Sequence, residues 1–255
     1  MKVGKNWYKD HYDEFLAAYT LDDQLAHQNA AQEIRFLRKM LKIEKNQKIL
    51  DIPCGRGRHS ILLAQKGHSI VGVDISKACI RGARKKITPA IRPHTRFESG
   101  DMQNLKKYQS KFDLVLNLFT SFGYFPTDSA NEKVMKNLIF CLRPQGKLCL
   151  FLINRENLLP RLHPKSWDEF KDQFVLQKME YNPKTKYHSA EWIFISKKTG
   201  AIRRYYHRIR LYNKDEIVTM MKKFGLKNIR VYGGTDGSRY HHSKSHHPVF
   251  IGTQS

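Results

Sequence analysis

The sequence predicts an α/β protein: a doubly wound, mostly parallel sheet of seven strands that carries an antiparallel β insertion. Three observations predict it. Short apolar runs alternate with helical periodicity from residue 48 to residue 153, the rhythm of a parallel sheet covered on both faces. The first run leads straight into a glycine-bearing turn, Gly55-Arg56-Gly57, and then into a helix pattern. After residue 155 the rhythm breaks, and extended segments follow one another with turn residues between them.

The elements follow in order. Residues 7–45 read as helical: Trp7-Tyr8 opens a polar-aromatic segment, Phe15, Leu16 and Tyr19 recur at helix spacing, and Ile34, Leu37, Leu41 and Ile43 form a second apolar face. Residues 48–52 read as the first strand and 60–66 as a helix, with a second strand over 68–74. Ser76 suits the N-cap of a helix over 77–86. Strands are expected at 97–99, 112–118 and 146–153, with a helix at 131–142. Residues 174–181, 189–195 and 202–212 read as a three-stranded meander, joined by turns at 182–185 and 197–200. A helix over 215–224, ended by Gly225, and strands at 228–232 and 248–251 complete the chain. The expected organisation is an N-terminal helical segment (1–45), a ligand-binding core (46–155), an insertion acting as a lid (156–212) and a completion of the core sheet (213–255).

Composition narrows the function classes. Forty per cent hydrophobic residues in 255 supply a core and argue against long-range disorder. No run approaches the roughly 18 apolar residues of a membrane span, and residues 1–6 lack the apolar stretch of a signal peptide, so the cytoplasm is the expected compartment. Lys and Arg number 46 against 23 Asp and Glu, a formal charge of +23. Such a field attracts polyanions, nonspecifically at least. Cys54, Cys79, Cys141 and Cys149 form no C-x-x-C pair and read as reduced, buried thiols.

The chemistry concentrates in three places. Asp51-Ile52-Pro53-Cys54-Gly55-Arg56-Gly57-Arg58-His59 is a strand end, a turn and a helix start. Its glycines let backbone approach a ligand, and the helix start offers N–H groups to a polar one. No Gly-Lys-Ser/Thr follows, so it is not a Walker loop. Asp74 ends the second strand, in Val73-Asp74-Ile75-Ser76, where an acid can accept from both hydroxyls of a ribose. Gly100-Asp101-Met102 follows the third strand, offering a carboxylate to an exocyclic amine and an apolar cover to a flat ring.

These residues, in this register, resemble the class I S-adenosylmethionine-dependent methyltransferases, with Pro53 standing where the first motif glycine is usual. The resemblance implies a Rossmann-like fold with a reversed last strand and S-adenosyl-L-methionine as cofactor. It places the ribose at Asp74 and the adenine at Asp101. It puts the loop after the fourth strand, from Asn117, Leu118 and Phe119 onward, beside the methyl group. Cys54 to His59, the stretch 117–125, Arg210-Leu211-Tyr212 and Gly233-Gly234-Thr235-Asp236-Gly237-Ser238 resemble a bacterial branch of these enzymes. The Asn/Asp-Pro-Pro-Tyr/Phe motif of base amino-methyltransferases is missing after residue 116, and Cys54 lies in the cofactor turn rather than at an acceptor.

The acceptor is expected to be a small molecule methylated on N or O. The alternatives are an RNA acceptor held by the basic surface and a noncatalytic cofactor-binding module. Aromatic residues after the fourth strand, among them Phe122, Tyr124 and Phe125, join Thr120 as an expected acceptor wall. Strand alternation sets Tyr206, Arg208, Arg210 and Tyr212 on one face, which is expected to point into the pocket and receive an anionic acceptor. A hydroxyl acceptor would also need a base, for which His59, His188 and His207 are available. His241, His242, His246 and His247 read as a flexible basic loop and not as a metal site.

Overall fold

The computed structural model describes residues 7–10 and 23–255. In chain order the elements are α1 (Trp7–Asp10), α2 (Asp23–Leu41), β1 (Lys48–Asp51), α3 (Arg58–Ala64), β2 (Ser69–Asp74), α4 (Lys77–Lys85), β3 (Thr95–Ser99), β4 (Phe112–Asn117), α5 (Asp128–Phe140) and β5 (Leu142–Phe151). There follow α6 (Arg155–Leu158), β6 (Lys165–Glu169), β7 (Gln173–Asn182), β8 (Tyr187–Ser196), β9 (Ile202–Arg210), α7 (Lys214–Lys223), β10 (Leu226–Tyr232) and β11 (Val249–Gln254). The expected helical residues Phe15, Leu16 and Tyr19 lie outside the described residues.

Seven strands form one sheet in the order β10-β11-β5-β4-β1-β2-β3. All neighbours run parallel except β11, which is antiparallel to both β5 and β10. The doubly wound α/β fold expected from the sequence is thus the observed one. Consecutive residues of the central strands alternate between two cores. Ile49, Ile70, Leu114 and Leu116 pack with Ile34, Leu37, Ile61 and Ile80 of α2, α3 and α4. Leu50, Val71, Val73 and Val115 pack with Met135, Leu138, Ile217 and Met221 of α5 and α7. Strands buried on both faces need apolar residues at every position, which explains their unbroken runs. The order reverses between β1 and β4, and the crevice beyond their carboxyl ends is where open α/β sheets bind ligands.

The insertion is a separate antiparallel sheet of four strands, β6-β7-β8-β9, one more than expected. Strand β6 escaped the sequence reading because four of its five residues are exposed and carry no apolar alternation. Backbone and side chains both fasten this sheet to the core. Arg210 N donates to Gly123 O at 2.8 Å, and a Cβ on Gly123, whose φ is +108°, would stand 2.5 Å from Arg210 O. Tyr187 Oη donates to Phe125 O at 2.6 Å. The Arg210 guanidinium, only 4% exposed, reaches Asp128 through Nε at 2.9 Å and Glu216 through Nη2 at 2.8 Å. Trp7 of α1 packs on Tyr124 and His207 with ring centroids 5.0 Å apart in each case.

The four cysteines are free and buried, and burial pushes the Cys141 thiol up to about 12. Among the described residues, no helix is long and apolar enough to cross a membrane, and no cluster of His, Cys, Asp and Glu has metal-binding geometry.

Two predictions test the joint. Arg210→Ala removes the cation shared by Asp128 and Glu216, and should lower stability at neutral pH by about 2 kcal/mol, read from urea unfolding; an unchanged midpoint would mean that the pairs are idle. Burial raises the Glu216 carboxyl, but hydrogen bonds from Lys186, the Asn213 backbone and Arg210 outweigh it and take the pKa to about 2, from an ordinary 4.5. A depressed carboxylate stabilises above its unfolded value and loses that contribution as pH falls. Glu216→Gln should therefore flatten the stability loss between pH 4.5 and pH 2, measured by unfolding across that window.

Candidate functional site

Strand β1 ends at Asp51, and an Ile52–Pro53 cis peptide leads into the glycine turn. Asp51 is buried beneath α3 and accepts from Ser60 Oγ at 2.6 Å; burial raises its carboxyl. It braces the turn from below. Gly55 and Gly57 both take left-handed backbone, with φ of 53° and 76°. A Cβ on Gly57 would come within 2.7 Å of the Phe97 ring, so only glycine lets α3 close on β3. A Cβ on Gly55 would meet nothing within 4 Å. That side of the turn is open.

Asp74, 2% exposed, ends β2. Its Oδ2 accepts from Gly55 N at 2.7 Å and its Oδ1 from Ser76 N at 2.8 Å. Ser76 in turn caps α4, accepting from Cys79 N. Asp74 lines a narrow cavity at the carboxyl ends of β1 to β4. The walls are Ile52 and Pro53 after β1, Ile75 after β2, Gly100, Asp101 and Met102 after β3, and Ser121, Tyr124 and Phe125 after β4, with Tyr8 closing one side. Asp101 folds its loop by accepting from Gln103 N at 2.8 Å. Asn117, fully buried at the end of β4, donates through Nδ2 to Ile52 O at 2.7 Å, and its Oδ1 has no hydrogen-bond partner.

Phe119 and Thr120 follow with φ of 63° and 62°. Two successive left-handed residues, one of them β-branched, are strained backbone, and such strain collects at functional sites. Phe119 is half exposed, and the Arg58 guanidinium lies over its ring at 4.2 Å. Arg58 also approaches Glu33 of α2 at 3.4 Å, and His59 Nε2 makes a close contact with the same carboxylate. Phe119, Thr120 and Glu33 border a second, open cavity, lined also by Gly233, Gly234, Asp236, Arg239 and His246.

The expected site residues therefore separate. Pro53, Asp74, Ile75, Gly100, Asp101, Met102 and Tyr124 line the first cavity; Phe119 and Thr120 line the second. Leu118 and Phe122 are buried in the core. The β9 face falls elsewhere. Tyr206 Oη donates to Glu191, Arg208 lies over the Tyr187 ring, Arg210 holds the joint, and Tyr212 Oη donates to Asp128. None of the four lines either cavity, because alternation gives a shared face but not its direction. The opposite face bears His207, packed on Trp7 and Tyr124. Burial takes His188 down to about 4 and His207 to about 3, so both are neutral at physiological pH. The loop of His241 to His247 is not the loose segment expected. Asn154 Nδ2 donates to the carbonyls of His242 and Ser245, and Asn157 Nδ2 to that of Ser243.

Phe125, expected in the acceptor wall, lines the first cavity, while Tyr8, Ser121 and Glu33 were not among the expected site residues. Tyr8 was visible as half of an aromatic pair, and Ser121 as a member of the 117–125 motif. Glu33 carries no sequence signal beyond its place on an amphipathic helix.

A family described as a methyltransferase domain matches residues 49–146. A putative methyltransferase, YqeM, of Bacillus subtilis (strain 168) is 30% identical over 162 residues, covering 64% of this chain and 62% of the relative. A glycine/sarcosine N-methyltransferase of Aphanothece halophytica is 27% identical over 154 residues, covering 59% and 58%. The chain thus spans about three-fifths of the length of these curated relatives. Among solved structures, the CcbJ methyltransferase of Streptomyces caelestis superposes with a TM-score of 0.78 at 19% identity, over 89% of this chain and 90% of the other. An S-adenosylmethionine-dependent methyltransferase of Clostridium acetobutylicum superposes with a TM-score of 0.76 at 18% identity, over 98% of both chains. Residues 49–146 are thus similar to a methyltransferase domain, and the chain has the Rossmann-like fold seen in S-adenosylmethionine-dependent methyltransferases.

Proposed function

We propose that the chain is an S-adenosylmethionine-dependent methyltransferase acting on a small-molecule N or O acceptor. The observation that carries this reading is the first cavity, which brings Asp74, Asp101 and Met102 together at the strand ends beside the open glycine turn. The donor set fits an adenosine. Asp74 and Asp101 are acceptors for ribose hydroxyls and an exocyclic amine, since each carboxylate oxygen has two lone-pair sites. Ile52, Ile75, Met102 and Phe125 offer apolar surface to the base. When bound, S-adenosylmethionine supplies a methyl group already activated on a sulfonium. The protein's task is then to hold the acceptor in line and keep water out. Tyr8, Tyr124 and Phe125 form the apolar side of that enclosure, and the Phe119–Thr120 turn divides it from the second cavity.

An RNA acceptor has less support. The groove carrying Lys48, Arg96, Lys107, Lys111 and Arg143 lies at the amino ends of the parallel strands, the end of the sheet away from the first cavity. Phosphates held there would be remote from the transfer point. The curated glycine/sarcosine N-methyltransferase among the relatives acts on a small amine by its name, which favours the small-molecule reading.

Calorimetry with S-adenosylhomocysteine tests the cofactor site. Asp74→Ala, verified as folded by circular dichroism, should weaken binding roughly 10- to 100-fold, the loss of about 1.5–3 kcal/mol of charge-assisted hydrogen bonding. Unchanged affinity would remove Asp74 from the site, and no binding by the native protein would sink the reading. Thr120→Gly should relieve the left-handed strain and raise stability by about 1 kcal/mol, seen as a higher Tm; a lower Tm would show that the turn is unstrained.

A further inference from the structure

The antiparallel sheet has a free edge. Strand β6 pairs with β7 on one side and ends the strand order on the other. Its unshifted register sets Lys165 opposite Lys178, Trp167 opposite Leu176 and Glu169 opposite Phe174. Just beyond the strand ends, Phe170 N donates to Gln173 O and Met179 N to Pro164 O, each at 2.9 Å. Bonded and non-bonded pairs alternate along an antiparallel ladder. The alternation therefore turns the backbone groups of Ser166 and Asp168 toward β7, and those of Lys165, Trp167 and Glu169 outward. Those outward N–H and C=O groups have no hydrogen-bond partner among the described residues. An exposed edge of this kind is a template for another strand.

The side chains of the edge define the strand that fits it. Turned about a two-fold axis at Trp167, the segment Lys165-Ser166-Trp167-Asp168-Glu169 matches itself. Lys165 then stands opposite the partner's Glu169, and Ser166 opposite the partner's Asp168, on both sides of the axis. Opposite charges facing each other across strands stabilise a sheet, and like charges destabilise it. Within one chain Lys165 faces a like charge, Lys178, which pairs with Glu180 at 3.2 Å. Lys165 itself has no ion pair among the described residues. Glu169 accepts from Lys197 through Oε1, which leaves Oε2 for a second cation.

The outer face of the sheet adds apolar surface. Cross-strand register puts Trp167, Leu176 and Ile193 in one row, and Phe174, Ile195 and Ile202 in the next. The buried Val175 and Phe194 lie on the opposite face, the one that carries His207. Trp167 is 65% exposed and Ile202 59%. Contiguous apolar surface of this kind marks an interaction site, and the two-fold axis brings the Trp167 side chains of the two copies together.

We propose that β6 is a self-pairing edge: a second copy of this chain adds its own β6 antiparallel, Trp167 against Trp167, and joins the two four-stranded sheets into one. The contact is isologous, so each interaction off the axis occurs twice. The outward N–H groups of Lys165, Trp167 and Glu169 donate to the partner's outward carbonyls, and the Lys165–Glu169 pairs fix the register. A five-residue edge is small beside the roughly 1,600 Å² of a standard interface, so the dimer should dissociate on dilution.

Sedimentation velocity over a dilution series reads the association. The native chain should pass from dimer to monomer as it is diluted. Lys165→Glu sets like charges opposite each other on both sides of the axis, and Glu169→Lys does the same with the other sign. Each should weaken the dimer roughly tenfold or more, the equivalent of about 1.4 kcal/mol. Both side chains are exposed, and circular dichroism verifies the fold of each variant. An equimolar mixture of the two variants restores opposite charges at every facing position and should form a heterodimer more readily than either variant self-associates. The double variant Lys165→Glu/Glu169→Lys should regain the native association. Ile202→Lys, at the far side of the outer face, should leave the dimer intact. A native chain monomeric at its highest soluble concentration, a dimer indifferent to both charge reversals, or a mixture no stronger than its components would overturn the proposal. A dimer broken by Ile202→Lys would place the contact on the face of the sheet and overturn the edge pairing.

Discussion

The carboxylate of Asp74 closes two turns at once: its Oδ2 takes the N–H of Gly55 and its Oδ1 that of Ser76. One turn leads from β1 to α3, the other from β2 to α4, so a single buried anion sets the spacing of two adjacent strand ends. Backbone N–H groups buried without partners are costly, and here the same atoms that satisfy them shape the cavity. Gly100 N adds a third tie, donating to Asp74 O at 2.9 Å. Three of the chain segments that line the first cavity, those after β1, β2 and β3, are therefore held by one residue before any ligand enters.

A second set of constraints joins the antiparallel sheet to this edge. The loop after β4 is caught between Asp74's cavity on one side and β9 on the other, and Gly123 permits the approach because any side chain there would strike the Arg210 carbonyl. Charge serves structure at several such places. Lys147 Nζ reaches Leu41 O at 2.6 Å and Arg230 Nη2 reaches Met40 O at 3.3 Å, so two cations sit on the last carbonyls of α2, where a helix dipole favours them. Part of the large positive charge is thereby tied to the fold and not to a polyanionic partner.

The glycine turn, Asp74 and the Gly100–Met102 segment were legible in the sequence because each follows a short apolar run, and strand ends in a parallel sheet converge on one edge. Other parts were not. Alternation sets Tyr206, Arg208 and Arg210 on one face of β9, with Tyr212 beyond its end, but the side of a strand that meets the core depends on which neighbour covers it. Here Trp7 and Tyr124 take the His207 face. Tyr8 and Glu33 come from helices whose apolar periodicity says that they pack, not over which strand. The tail histidines looked unstructured because their order comes from Asn154 and Asn157, roughly 90 residues earlier.

That distant tie has an evolutionary consequence. The contact of Asn154 with Ser245 spans 91 residues, and the four antiparallel strands lie wholly within the closed segment. The entropy of closing a loop grows only logarithmically, with each doubling costing about 0.6 kcal/mol. Strands or whole hairpins can therefore be added to or trimmed from this excursion at little cost to the tail loop. The antiparallel side of the molecule can drift in size and shape while the edge that carries the first cavity stays fixed.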